Sequence, residues 1–82
     1  METRVAVMSI IVENGDVVEK LNNLLHEYGE YIIGRMGIPY RAKARKINII
    51  SIAMDAPAAV IDALTSQIAA LDGVQVQAVT AR

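Results

Sequence analysis

The sequence contains no cysteine, which excludes disulfide bonds, thiolate metal ligands, iron–sulfur ligation and a cysteine nucleophile. It also lacks tryptophan and phenylalanine, and its three tyrosines offer few surfaces on which bases or sugars could stack. No apolar run reaches the roughly 18 residues of a membrane-spanning helix. The first residues lack the long apolar core of a signal peptide. These absences predict a cytoplasmic protein without a membrane segment.

The composition is rich in aliphatic residues, which pack the core of a folded domain. The chain has 82 residues, 54% of them hydrophobic, and most of these are aliphatic. This length predicts a single domain spanning residues 1–82. A domain of this size buries only roughly 60% of the surface of its unfolded chain, so a partner surface would help it. The net charge of -1 gives no overall basic field for nucleic acid.

Apolar periodicity and turn-forming residues divide the chain into six segments. The strands are predicted at Val5–Glu13, Tyr31–Tyr40, Ile47–Met54 and Val74–Thr80, and helices follow Asp16 and Asp55-Ala56-Pro57. The order β-α-β-β-α-β predicts an α+β fold of the ferredoxin-like sandwich type. Its four-stranded antiparallel sheet has strands one and three in the middle and both helices on one face.

Local signals refine these boundaries. Asp16 and Glu19 have the spacing of a helix-capping pair, and Gly29 is predicted to end the first helix in a left-handed conformation. Pro39 predicts that strand two is an edge strand with a bulge or kink. The segment Arg41–Lys46 is predicted to be a polar, basic connection, and Asp72-Gly73 to stop the second helix.

Both faces of the central strands are apolar, which is unusual for a sheet covered by helices on one side only. In strand one, Ala6, Met8, Ile10 and Val12 alternate with Val5, Val7, Ser9 and Ile11. Strand three shows the same pattern. An aliphatic surface of this size typically marks an interface, so we predict a homo-oligomer, either a dimer or a tetramer.

Two segments are candidate binding sites. The loop Glu13-Asn14-Gly15-Asp16 precedes a helix and could hold a small ligand through backbone amides, although a simple capped turn is the more common explanation of such a loop. The glycines of strand two indicate a close approach to a ligand or to another subunit. The predicted ligand site therefore combines this loop with Gly34, Arg35, Met36, Gly37, Ile38, Pro39, Tyr40 and Arg41.

Basic residues cluster in the same part of the chain. Five of the eight lie in the segment from strand two to the start of strand three, at Arg35, Arg41, Lys43, Arg45 and Lys46. They are candidates for contact with an anion or nucleic acid. The alternative is a solvated hairpin whose charges keep an edge strand from pairing with other chains.

The sequence offers no catalytic machinery. It contains no phosphate-binding loop, dinucleotide motif or nucleophile elbow, so we predict that the protein is not an enzyme. His26 and Glu30 are four residues apart and could share a metal on a helix, but no second histidine or cysteine completes such a site within the chain. No metal or cofactor is therefore predicted, apart from the option of a site completed across an interface.

Three segments carry a family resemblance: HEYGEYIIGRMGIPYR at His26–Arg41, INIISIAMDAP at Ile47–Pro57 and LDGV at Leu71–Val74. Together they resemble the small proteins proposed as regulators of the iron-only hydrogenase system. The resemblance implies an ACT-like domain, oligomeric assembly and a role in transcriptional regulation. It also implies a fold similar to the regulatory domain of nickel-responsive repressors. Those repressors bind nickel through several histidines and a cysteine, whereas this chain has one histidine and no cysteine.

The resulting prediction is a non-enzymatic, oligomeric domain that senses a small-molecule effector. Two alternatives remain at this point. One is a protein-interaction or maturation helper that binds a hydrogenase-related protein, and the other is direct DNA binding through the basic hairpins between strands two and three.

Overall fold

The computed structural model describes residues 2–42 and 45–81. Four strands and two α-helices follow one another in the predicted order. They are β1 (Arg4–Val12), α1 (Val18–Glu27), β2 (Ile32–Ala42), β3 (Arg45–Ala56), α2 (Ala58–Ala69) and β4 (Val74–Thr80). The strands form one antiparallel sheet in the order β2-β3-β1-β4, which confirms the ferredoxin-like arrangement with β1 and β3 in the middle.

The core lies between the sheet and the two helices. One face of each central strand is buried against the helices, as at Met8, Ile10, Ile52 and Met54, which are all fully buried. Leu21 and Leu25 of α1 and Ile61, Leu64 and Ile68 of α2 fill the other side. The apolar stripes of both helices therefore face the sheet as their periodicity predicts.

The strand register defines rows that run straight across the sheet. Because directly paired residues share a face, Met36, Ser51, Ser9 and Gln77 form one such row. This row lies on the face opposite the helices, which we call the open face. A neighbouring row on the same face consists of Ile38, Ile49, Ile11 and Gln75.

The start of the first helix differs from its prediction. Asn14, and not Asp16, is the capping residue, because its Oδ1 accepts a hydrogen bond of 3.0 Å from the Asp16 amide. It caps a 3-10 turn at Gly15–Val17, and α1 begins only at Val18 without a side-chain cap. The Asp16–Glu19 capping pair is therefore wrong. Asn14, Gly15 and Asp16 all favour a turn, and the first of them, Asn14, acts as the capping residue.

Gly29 was expected to adopt the left-handed conformation, and this is also wrong. Gly29 begins a second 3-10 turn, Gly29–Tyr31, that leads into β2. Among the described glycines, Gly73 has the positive φ, at 73°. It follows α2 at the predicted Asp72-Gly73 stop, so the left-handed turn lies after α2 and not after α1.

The hairpin of β2 and β3 is longer than the sequence suggests. The predicted connection Arg41–Lys46 is wrong, since Arg41 pairs with Lys46 as part of the ladder. Asp55 and Ala56 likewise end β3 instead of starting a helix. The predicted irregularity in the edge strand is confirmed, because the β2–β3 register shifts between Ile32 and Gly34. No helix within the described ranges is long and apolar enough to cross a membrane.

Candidate functional site

A cleft of about 290 Å³ opens between the first half of α1 and β2. It forms because β2 turns Arg35, Gly37 and Pro39 toward the helix side, where all three stay exposed. The floor is empty because Gly37 has no side chain, and a Cβ built there meets no atom within 4 Å. We call this feature the α1–β2 cleft.

Its walls combine apolar surface with three polar groups. The lining residues are Val12, Val18, Leu21, Asn22, Arg35, Gly37, Ile38, Pro39, Asn48 and Ile50. Leu21 and Ile50 belong to the buried core, so the inner wall is rigid and apolar. The polar groups are the amides of Asn22 and Asn48 and the guanidinium of Arg35.

Arg35 is held at this cleft by a neighbour on α1. Its Nη2 donates a hydrogen bond of 3.3 Å to Asn22 Oδ1. A guanidinium carries five N–H donors, so this bond leaves others for an incoming anionic group. The polar side chains of the lining can bind and orient a ligand, but amides and a guanidinium do not exchange protons near neutral pH.

The structure divides the predicted strand-two segment between two faces. Arg35, Gly37 and Pro39 face the α1–β2 cleft, and Ile38 also borders it although its row lies on the open face. Gly34, Met36 and Tyr40 pair with Ala53, Ser51 and Ile47, and they lie on the open face. Consecutive residues of a strand point to opposite faces, so one continuous segment cannot serve one site.

The predicted loop lies close to the cleft but does not line it. Val12 and Val18, which flank Glu13–Asp16, contribute to the lining instead. Within the loop, the Asn14 side chain donates to the Asp72 carbonyl and carboxylate, both at 3.4 Å. The Glu13 amide donates to the Gly73 carbonyl at 2.9 Å. The loop therefore fastens β1 to the turn before β4, and its role in ligand binding stays a prediction.

The predicted site leaves out six residues that line the cleft: Val12, Val18, Leu21, Asn22, Asn48 and Ile50. In the sequence, Leu21 lies on the apolar stripe of the first helix and Asn22 lies outside it, and neither position by itself indicates a ligand site. A usable signal was present, because alternate positions of β2 carry Gly37 and Pro39, which leave room above the strand. Only the packing of α1 beside that strand places Asn22 opposite Arg35.

The basic cluster is also divided. Arg35 belongs to the cleft, whereas Arg41 and Lys46 face each other on the part of the hairpin that extends past the last residue of β1. Arg41 Nη1 donates to the carbonyls of Tyr40 and Ile47, at 3.1 and 3.4 Å. Lys43 lies outside the described residues, and so does the side chain of Arg45.

The histidine pair gains no further ligands. His26 is exposed on α1, and Glu30 lies in the 3-10 turn that follows. No group of three or more His, Asp or Glu residues in the described part of the chain could hold a metal ion.

Comparison with known structures shows the same fold in two other small proteins. The protein CPII from Thiomonas intermedia K12, bound to ADP, AMP and acetate, matches with a TM-score of 0.57 and 19% identity over 100% of this chain and 93% of that one. The de novo designed protein Foldit4 matches with a TM-score of 0.58 and 17% identity over 99% and 98% of the two chains. At these identities the likeness shows the fold alone. No curated protein sequence matches the chain.

A nearer match identifies the family. The uncharacterized protein TM1266 from Thermotoga maritima matches with a TM-score of 0.90 and 28% identity, over 99% of this chain and 100% of that one. The model of the TM1266-like family, described as "Iron-only hydrogenase system regulator, putative", matches residues 4–78. Because that match spans nearly the whole sequence, the chain belongs to the TM1266-like family.

Proposed function

We propose that the protein is a non-catalytic regulatory domain of the iron-only hydrogenase system and that it binds a small effector in the α1–β2 cleft. The family description supports the regulatory role. The observation that carries effector binding is the cleft itself. An edge strand leaves its helix-facing side open at Gly37 and Pro39, and the opening is bordered by Asn22, Arg35 and Asn48.

The chemistry of the cleft defines the class of effector. Its volume lies at the lower end of the roughly 300–1,000 Å³ typical of ligand pockets, which suits a molecule the size of an amino acid. The guanidinium of Arg35 favours a carboxylate or phosphate, because charge-assisted hydrogen bonds are the stronger ones. Leu21 and Ile50 favour a short apolar body. CPII, a protein of the same fold, is bound to nucleotides and acetate.

Ligand-dependent stabilisation tests this proposal. Any compound that binds the folded state raises its stability by mass action, by about 2.7 kcal/mol at a concentration 100 times its Kd. For a domain of this size, that is roughly 10–20 °C in Tm. The panel contains amino acids, short carboxylates, phosphates and nucleotides at millimolar concentration. A panel in which no compound raises Tm would contradict effector binding.

A matched pair of glycine variants locates the binding. Gly37 and Gly34 lie in the same strand on opposite faces, and a Cβ at either one meets no atom within 4 Å. Gly37→Val fills the floor of the cleft, whereas Gly34→Val adds the same side chain to the open face. We expect Gly37→Val to abolish the Tm rise and Gly34→Val to keep it. Equal responses in both variants would place the effector elsewhere.

The hairpin favours one second candidate, contact with nucleic acid. Arg41 and Lys46 lie on a part of the hairpin that extends beyond β1, where a phosphate backbone could approach it. Arg41 already donates hydrogen bonds to carbonyls of its own hairpin, so it has fewer N–H donors left for a phosphate. The same projecting hairpin could instead bind a hydrogenase-related protein, and co-purification would reveal that partner.

A further inference from the structure

We propose that two copies of the chain pack face to face through their open faces, about a two-fold axis that runs along the strands between β3 and β1. In this arrangement β2 of each copy lies over β4 of the other. The proposal does not depend on the α1–β2 cleft, which lies on the helix side of the sheet.

The first observation is the composition of the open face. Its large apolar side chains are 39% to 74% exposed, and they come from all four strands: Val5, Val7, Ile11, Met36, Ile38, Tyr40, Ile49 and Val79. The rows that contain Ser9 and Ile11 include no charged residue. Exposed aliphatic groups with few charged residues among them are typical of the core of a protein–protein interface.

The second observation is area. Four strands about 4.8 Å apart, with a nine-residue central strand of about 30 Å, give a face of roughly 570 Å² on each copy. Two such faces bury roughly 1,100 Å², which passes the approximately 1,000 Å² expected of a specific interface. A second copy of the sheet therefore covers the patch completely, and it has matching chemistry because it is the same surface.

The third observation concerns the axis. The two charge-free rows begin on β2 with the large side chains of Met36 and Ile38, which are 59% and 48% exposed and which we call the ridge. On the far side the open face has a groove of about 330 Å³, bordered by Ser9, Gln75 and Gln77. An axis along the strands places the ridge of each copy over the groove of the other. An axis across the strands would place ridge on ridge and leave both grooves empty. The groove lies at the β4 edge, so the glutamine amides keep access to water.

Sedimentation tests the assembly itself. We expect a dimer at micromolar concentration, and a monomer at that concentration would overturn the proposal. Val7→Asp buries a charge in the centre of the interface and should shift the sedimenting species to a monomer. The control Ala63→Asp adds the same charge to the exposed side of α2 and should leave the dimer intact. Circular dichroism establishes that both variants are folded, and a dimer that survives Val7→Asp would also refute this face.

Cross-linking tests the axis, and the absence of native cysteine makes each introduced thiol unique. Met36 and Gln77 stand in one row at opposite edges of the sheet. In the proposed dimer they face each other across about 10 Å, which is too far for a disulfide but within reach of a short bis-maleimide. Two copies of the same residue would be about 17 Å apart.

We therefore expect the double variant Met36→Cys/Gln77→Cys to yield a covalent dimer with the short bis-maleimide, and neither single variant to do so. A covalent dimer of Met36→Cys alone would indicate that β2 lies on β2, which overturns the axis. A dimer that sediments normally but gives no covalent product in the double variant would place the interface on another surface.

Discussion

Among the glycines of the chain, Gly73 is the one at which an added methyl group should lower the free energy of unfolding the most. Its φ of 73° lies in the left-handed region, and a Cβ there would come within 2.6 Å of the Asn14 Cβ and 3.3 Å of the Asn14 amide nitrogen. These contacts cannot be relieved by rotating a side chain, because both atoms belong to or adjoin the backbone. The same loop is anchored by the hydrogen bond from the Glu13 amide to the Gly73 carbonyl.

The cost of Gly73→Ala follows from three terms. The left-handed conformation costs an L-residue about 1–2 kcal/mol. Forcing the Asn14 loop aside adds about 1–3 kcal/mol, as overpacking typically does. The smaller conformational freedom of alanine in the unfolded chain returns about 0.4–1 kcal/mol. We expect a net loss of about 1–5 kcal/mol in the free energy of unfolding, and its central value of about 3 kcal/mol corresponds to roughly 10–25 °C in Tm.

Urea denaturation followed by circular dichroism measures this loss, at one fixed protein concentration because self-association would contribute to stability. Gly15→Ala is the matched control on the other side of the contact. Its Cβ meets no atom within 4 Å and its φ is not positive, so its stability should stay within about 0.5 kcal/mol of the parent.

A double-mutant cycle separates the clash from the backbone strain. Asn14→Gly removes the opposing Cβ. It also removes the cap and the hydrogen bonds to Asp72, but this cost is present in both variants of that background and cancels in the cycle. In that background Gly73→Ala should lose only about 1 kcal/mol. A loss of less than about 0.5 kcal/mol in the parent would refute the reasoning altogether, and equal losses in the two backgrounds would refute the clash.

Two further predictions concern the core and the hairpin. Leu21→Ala should cost about 2–5 kcal/mol in urea denaturation because Leu21 is fully buried, and the half-buried Leu24→Ala should cost clearly less. Equal costs would contradict the assignment of the helix face. If the hairpin contacts DNA, its affinity should fall steeply with salt, and Arg41→Gln/Lys46→Gln should lower the salt slope by about 2. Unretarded duplex DNA at low salt would remove that candidate.

The fold was predictable because its signals agree along the chain. The apolar run of β1, the stripes of the two helices and the position of Pro39 are all consistent with the same sheet with β2 at an edge. The turns were less predictable, since Asn14, Gly15 and Asp16 all favour a turn locally. The choice between them depends on Asp72 and Gly73, which lie almost sixty residues further along the chain.

The candidate site was predictable only in part, for a related reason. The sequence singles out the glycines of β2, but it does not show how far α1 lies from that strand. This lateral distance decides that Arg35 and Asn22 meet at the mouth of a cleft. The loop before α1 contacts the turn before β4 and not the cleft, and the sequence does not show this contact either.

The α1–β2 cleft and the open face share the strand β2, because its side chains point alternately to one face and the other. Gly37 and Pro39 face the cleft on one side of the strand, and Ile38 and Tyr40, which alternate with them, belong to the open face on the other side. An effector that displaces this edge strand toward or away from α1 must move the ridge that the partner's groove receives. Because β2 is an edge strand and carries a bulge after Ile32, a shift of β2 disturbs its pairing with one neighbour only. Binding free energies coupled through one strand act reciprocally, so a ligand that strengthens the dimer must itself bind the dimer more tightly, by the same factor.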